Sequence, residues 1–135
     1  MELSQYIKDK LVSEKRVAMP IMTHPGIELL GKRVLDAVTN GEIHYHAIRA
    51  LNECFPQSVA CTTIMDLTVE AEAFGAQLSM SSNEVPSVSG RLLAGYADVE
   101  ALQVPSLESG RVPQYLQADR LAAKGIDKPV LAGCI

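Results

Sequence analysis

The stretch Met65-Asp-Leu-Thr-Val-Glu-Ala-Glu-Ala-Phe-Gly-Ala76 follows an apolar, β-branched run at residues 58–65. Such a run is typical of a strand that is covered on both faces, and the Ala- and Glu-rich residues after it favour a helix that ends at Gly75. Asp66 therefore stands where a strand ends and a helix begins, a position that faces the active-site cleft in parallel α/β proteins. We predict that Asp66 is the catalytic residue. The alternative is that its side chain only caps the following helix.

The rest of the chain alternates helical patterns with short apolar runs. Leu3, Ile7 and Leu11 recur at helical spacing and predict an amphipathic helix that caps the fold. Further strands are expected at residues 76–80 and 130–135, with a long loop at residues 81–95 between them. The alternation indicates an α/β fold with parallel strands. The other helices are expected at residues 32–38, 42–55, 98–102 (capped by Asp98) and 108–124, with Gly125 just past the last one.

Residues 19–31 contain two prolines and two glycines, so an extended segment or a loop is expected there. Loops early in α/β chains often contact ligands. His24 lies in this segment and is the predicted substrate-binding residue. The alternative role for its imidazole is a hydrogen bond within the loop.

Composition limits the class of protein. A length of 135 residues, 47% of them hydrophobic, is enough for one domain with a core, and we treat residues 1–135 as a single domain. The formal net charge of -4 and the scattered Lys and Arg side chains argue against nucleic-acid binding. The N-terminus lacks the layout of a signal peptide, and no apolar run is long enough to cross a membrane.

The three cysteines are odd in number and lack metal-type spacing, which favours reduced thiols and a cytoplasmic location. Cys61 lies in the middle of the predicted strand and Cys54 on the inward face of the predicted helix 42–55. Both are expected in the core, and packing is also the preferred role of Cys134. The inward face of that helix is expected to consist of Ile43, Ala47, Ala50, Leu51 and Cys54.

Three segments, in order, resemble the N-terminal part of the uroporphyrinogen decarboxylase superfamily. They are Gly41-Glu42 at the start of a helix that ends at Phe55, the stretch from Met65 to Gly75, and Lys128-Pro-Val-Leu-Ala-Gly133. The resemblance implies the N-terminal part of a (β/α)8 TIM barrel with N-terminal capping helices. It also implies that roughly the C-terminal half of the barrel, or more, is absent from this chain.

The resemblance implies a site for Asp66 and a choice between two branches. Decarboxylases of the superfamily hold tetrapyrrole NH groups with an aspartate at the position of Asp66. They also carry an Arg-Gln-Ala-Gly-Arg loop for the substrate carboxylates, and Thr23-His-Pro-Gly-Ile27 stands in its place here without either arginine. The stretch from Met65 to Gly75 is closer to the methylcobalamin:coenzyme M methyltransferase branch. The expected function is methyl transfer between a corrinoid protein and a thiol or another acceptor.

In that branch a zinc ion activates the acceptor thiol, and the resemblance implies zinc and a corrinoid (methylcobalamin) as cofactors. The zinc ligands of those proteins lie in their later half, so no metal ligand is predicted in this chain. His44 and His46 are two residues apart and would point in different directions on a helix; we expect both to face solvent.

Two alternatives to the methyltransferase stay open. One is porphyrinogen decarboxylation. The other is a non-enzymatic, short paralogue that acts by association with itself or another chain, because an open parallel edge invites pairing. The apolar run at residues 130–135 also leads us to expect a homo-oligomer.

Overall fold

The structure is a computed structural model that describes residues 2–13 and 15–133. Its elements are helices, a short parallel strand pair and a separate β-hairpin. The elements in chain order are α1 (Leu3–Leu11), α2 (His24–Leu29), α3 (Val34–Val38), α4 (Gly41–Cys54), β1 (Cys61–Thr62), α5 (Val69–Ala73), β2 (Gln77–Ser79), β3 (Ser87–Ser89), α6 (Tyr96–Ala101), α7 (Val112–Gly125) and β4 (Val130–Leu131).

The parallel pair confirms the expected α/β class. Cys61 of β1 lies opposite Val130 of β4, and the chain between them crosses over through α5, the hairpin, α6 and α7. The ladder is shorter than the run at residues 58–65 predicted, although a further parallel bridge joins Ala18 to Ser58. The described residues form two strands of the parallel type and no closed barrel.

Helix α4 is the centre of the packing, and its bounds agree with the prediction to within one residue. The Asn40 side chain caps it by accepting hydrogen bonds from the backbone N–H groups of Glu42 and Ile43, at 3.0 and 3.1 Å. Helices α2, α3 and α7 all pack against it. Its buried residues are Gly41, His44, Ala47, Ile48 and Leu51.

The buried face of α4 is rotated about the helix axis relative to the predicted one. Ala47 and Leu51 are buried as expected, but Cys54 is exposed and His44 is fully buried. The reason is that α2 and α7 flank the helix and cover a wider arc than one apolar stripe would fill. Cys61 is buried, as predicted. Cys134 lies outside the described residues.

Two predicted loops contain regular structure. Residues 19–31 include helix α2, so His24 is the first residue of a helix and not a loop residue. Pro25 is tolerated there because the first helical turn does not need its N–H. Residues 81–95 include β3, which pairs antiparallel with β2 with Leu78 opposite Val88. The hairpin was missed because its strands are rich in Ser and largely exposed.

Smaller differences concern helix ends. Helix α7 begins at Val112 instead of residue 108, and Gly125 is its last residue instead of the residue after it. Asp98 lies inside α6, where its carboxylate accepts from the backbone N–H groups of Ala94 and Gly95, so it stabilises the helix start from within.

Helix α1 spans the three residues whose spacing predicted it, but these apolar residues are largely uncovered. Leu3, Ile7 and Leu11 are 51%, 48% and 79% exposed, and Tyr6 is the residue that joins the helix to the fold, by donating a hydrogen bond to the carbonyl of Val59. The expected capping role is therefore not seen among the described residues. No helix in residues 2–13 or 15–133 has the length and apolar composition needed to cross a membrane.

Candidate functional site

Asp66 lies in the turn that connects the C-terminal end of β1 to α5. Its Oδ1 accepts two hydrogen bonds from Thr68, one from the backbone N–H at 3.0 Å and one from the hydroxyl at 2.6 Å. A turn closed by an aspartate side chain in this way is a common local arrangement before a helix. The alternative that Asp66 only caps the following helix therefore accounts for the hydrogen bonds of Oδ1 but not for those of the second carboxylate oxygen.

The second carboxylate oxygen of Asp66 binds two residues from α7 and the turn before it. Oδ2 accepts from Nη1 of Arg111 and from the hydroxyl of Tyr115, the latter at 2.9 Å. Arg111 and Tyr115 are four residues apart, so the start of α7 presents both side chains on one face. Asp66 therefore ties the end of β1 to α7.

Arg111 extends this contact into a network. Its Nε lies 2.7 Å from Oε2 of Glu72 on α5, and its Nη2 lies 2.7 Å from the hydroxyl of Thr68. The side chains of Arg111 and Asp66 are 7% and 0% exposed. A buried ion pair is tolerated when further hydrogen bonds satisfy its polar atoms, and here each side-chain nitrogen of Arg111 and each carboxylate oxygen of Asp66 has at least one partner.

The network sets the charge states of its members. Burial alone would raise the pKa of Asp66, but hydrogen bonds from Arg111 and Thr68 outweigh it and hold that pKa below its usual value. Burial, together with the nearby Asp66 carboxylate, raises the pKa of Tyr115. At neutral pH Asp66 is thus ionised and Tyr115 is a hydrogen-bond donor.

His44 lies beside this network and corrects the expectation that it faces solvent. It is fully buried on α4, its Nε2 accepts from the backbone N–H of Ile64 at 2.9 Å, and its ring meets Tyr115 edge-on at 5.0 Å. An Nε2 that accepts a hydrogen bond carries no proton, so the neutral ring has its proton on Nδ1, which has no hydrogen-bond partner. Burial lowers the pKa of His44 to about 4. His46 is exposed, as predicted.

A cavity of about 540 Å³ opens at the C-terminal ends of β1 and β4. This volume lies within the roughly 300–1,000 Å³ range of ligand pockets, and the position is the one where parallel α/β folds bind ligands. Most of its walls are apolar, and Asp66 and Tyr115 lie in them. The polar or charged residues of the lining are Thr63, Asp66, Glu70, Ser106, Tyr115 and Asp119.

The two predicted site residues do not come together in this cavity. Asp66 is one of its lining residues, whereas His24 is exposed at the start of α2 and is not. The substrate-binding role of His24 stays a prediction.

Sequence reasoning missed Arg111, Tyr115 and Asp119. Arg111 is one of the scattered Lys and Arg side chains of the sequence, and no pattern around it marks a site. The spacing of Arg111 and Tyr115 was an available signal, but nothing in the sequence connects it with Asp66, 45 positions earlier.

Zinc does not fit the described residues. No group of three or more His, Cys, Asp or Glu side chains is arranged to bind a metal ion in residues 2–13 and 15–133. The Nε2 atom of His44 accepts a hydrogen bond from the backbone N–H of Ile64, and the thiol of Cys61 lies 3.7 Å from the side-chain oxygen Oδ1 of Asn52. We therefore derive no chemical step through zinc.

Comparisons with known proteins agree with the fold and with the resemblance in sequence. The chain superposes on the solved structure of a "methyltransferase from Methanosarcina mazei" with a TM-score of 0.73 and 26% sequence identity. The match covers 95% of this chain and 40% of that one, so the chain spans less than half the length of this relative. No curated protein matches the sequence.

The sequence model of the family described as "Uroporphyrinogen decarboxylase (URO-D)" matches residues 16–135. That match includes the β1 to α5 turn with Asp66, the whole of α7 and both strands of the parallel pair. The chain is a methyltransferase-like member of the uroporphyrinogen decarboxylase family.

Proposed function

We propose that this chain is part of a methyltransferase that moves a methyl group between a corrinoid protein and a small acceptor, a thiol or another nucleophile. The observation that carries the proposal is the superposition of 95% of the chain on a methyltransferase structure at 26% identity. The corrinoid protein, as donor or recipient of the methyl group, would be a partner and not a group bound within this chain.

Two features of the structure count against the alternative, porphyrinogen decarboxylation. The segment that stands in place of the arginine-bearing loop is the start of α2, where Gly26 and Ile27 are buried. In addition, none of the described residues that line the cavity is Lys, Arg or His. A substrate with many carboxylates needs such donors, because each buried carboxylate must be paired.

Asp66 would contribute to this function by position. Its Oδ2 accepts hydrogen bonds from Arg111 behind the cavity wall and from Tyr115 in that wall, so we propose that Asp66 fixes the shape and charge of the site. His24, exposed at the start of α2, would contact the acceptor or the partner protein from outside the cavity. Comparing His24→Ala with the native residue in the methyl-transfer assay below tests that contact.

The remaining parts of the proposal come from the family resemblance. A zinc ion that lowers the pKa of an acceptor thiol would be held by residues other than those described here. An apolar cavity excludes water from a transferred methyl group, and the Leu, Val and Phe side chains of the lining suit that task.

The test uses the longest native product that contains this sequence, supplied with zinc. We expect methylcobalamin to lose its methyl group when a thiol is present. The absorbance of methylcobalamin measures this loss, and mass spectrometry detects the methylated thiol. Decarboxylation of uroporphyrinogen by the same preparation would instead support the alternative function. If neither reaction occurs and the protein forms a defined assembly, the non-enzymatic alternative gains support.

A further inference from the structure

The carboxylates of the cavity are not equivalent. Asp66 has both oxygens occupied by two donors each, and the positive charge of Arg111 beside it is shared with Glu72. A ligand could reach the Asp66 carboxylate only by breaking bonds within the protein. Asp66 is therefore unavailable as a ligand-binding group while the network is intact.

Asp119 lines the same cavity without such compensation. It lies one turn after Tyr115 on α7, and its Oδ1 is buried without a hydrogen-bond partner. Burial raises its pKa, and no cation opposes that effect. Asp119 is half-buried, and its buried Oδ1 receives no hydrogen bond from the described residues, so this oxygen favours a ligand that brings a donor with a positive charge.

The charge of the whole lining has the same sign. Asp66, Glu70 and Asp119 are the three acidic residues among the described lining residues, and no basic residue accompanies them there. Phe74 lies in the same wall, and an aromatic ring stabilises a cation that reaches its face. Asp119 would repel an anionic ligand, whereas a cation with an apolar body would match both the Asp119 carboxylate and the apolar walls.

We propose that this cavity is a binding site for a small organic cation, an amine with apolar substituents, and that Asp119 is the residue that binds its charge. Binding of the cation is separate from the methyl transfer proposed above, because it requires no methyl donor, corrinoid or zinc.

The test compares three ligands of nearly equal shape: tert-butylammonium, tert-butanol and pivalate. Each is titrated at pH 7 into the longest native product that contains this sequence, and binding is followed by the amide NMR signals of the cavity walls. We expect saturable shifts at Leu67, Leu116 and Gly133 with tert-butylammonium, and an affinity at least about tenfold weaker for the alcohol and for pivalate.

Asp119→Asn keeps the shape of the side chain and removes its charge. We expect it to lower the affinity for tert-butylammonium to that of the neutral alcohol. Asp127→Asn, at an exposed position just after α7, is the matched control and should leave the affinity unchanged.

Equal binding of the three ligands, no saturable shift with the cation, or unchanged affinity in Asp119→Asn would each overturn the proposal. If Asp119→Asn does not fold, as its own amide spectrum would show, the comparison of the three ligands on the native chain still decides. None of these results depends on methyl transfer, so failure here and failure of the proposed function are distinguishable.

Discussion

The carboxylate of Asp66 shows how one residue can connect distant parts of the chain. Thr68 is two residues away from it, but Arg111 and Tyr115 are 45 and 49 positions away. The position of Asp66 after the strand was expected from the sequence. Its saturation by internal donors was not, and it leads us to propose that Asp66 supports the cavity wall; the catalytic role expected from the sequence stays a prediction.

Removal of Arg111 would leave the buried carboxylate of Asp66 without its cation and the partly exposed Glu72 without its ion-pair partner. Arg111→Met should lower the free energy of unfolding by about 3–5 kcal/mol, because breaking a buried pair by removing one partner leaves the other uncompensated. Urea unfolding followed by circular dichroism measures the change.

The control for that variant is Arg49→Met, which removes an arginine from the exposed pair with Glu53 on α4. Exposed pairs of this kind often contribute nothing measurable. Equal unfolding midpoints for both variants would show that the Asp66 network does not stabilise the fold.

His44 predicts a pH dependence of stability. Its pKa is about 4 in the folded chain against 6.5 when exposed, so the unfolded state binds its proton first as the pH falls. The contribution of neutral His44 is therefore fully present above pH 6.5 and is lost between pH 6.5 and about 4. Between pH 7 and pH 5 the loss should be about 2 kcal/mol.

Comparison with His44→Gln isolates this effect, because the raised pKa of Asp119 acts in the opposite direction and is common to both proteins. Between pH 7 and pH 5 the free energy of unfolding of the native chain should fall by about 2 kcal/mol more than that of His44→Gln. His46→Gln, at the exposed neighbour, should behave like the native chain. Parallel stability curves for native and His44→Gln proteins would contradict the burial of a neutral imidazole.

At the scale of elements, α4 holds the fold together because small residues let its neighbours approach closely. A methyl group added at Gly26 of α2 would lie 2.1 Å from the carbonyl oxygen of Ala47 on α4. Such a distance is far inside van der Waals contact with backbone, which cannot move as a flexible side chain can. The α2–α4 contact therefore requires glycine at this position.

Gly26→Ala should destabilise the chain by about 1–3 kcal/mol, because α2 must shift away from α4. Gly95→Ala is the control, since Gly95 has extended backbone and nothing within 4 Å of the added methyl. That control should change stability by less than about 0.5 kcal/mol. Thermal or urea unfolding compares the two, and an equal effect would argue against close α2–α4 packing.

At the scale of the whole molecule, much apolar surface is left uncovered. Leu3, Ile7 and Leu11 of α1 are about half exposed or more, and within the described residues β1 and β4 form a sheet of only two strands. Exposed apolar patches and open strand edges favour association with other chains.

We predict that the isolated 135-residue chain self-associates, as light scattering after size-exclusion chromatography would show. Changing Leu3, Ile7 and Leu11 together to Gln keeps good helix formers and removes the apolar stripe, so it should shift the mass toward the monomer. Lys8→Gln and Lys10→Gln on the same helix are the controls. A stable native monomer with cooperative unfolding would contradict the prediction.

The sequence by itself determined the local features of this protein. Propensity, capping and short-range pattern account for four of them. These are helix α4 with its cap at Asn40, helix α5 with the turn at Gly75, the strand Gln77–Ser79 and the position of Asp66 after β1. The resemblance in sequence, confirmed by the family match, also identified the superfamily.

The tertiary structure alone decided which face of α4 is buried, the pairing of β2 with β3, and the partners of Asp66. The physical reason is the range of the interactions. Capping and helical propensity act between residues a few positions apart, whereas the burial of His44 and the Arg111 contact depend on elements brought together by packing. For that reason Asp66 could be found from the sequence, and Arg111, Tyr115 and Asp119 became visible only when α7 was placed against the end of β1.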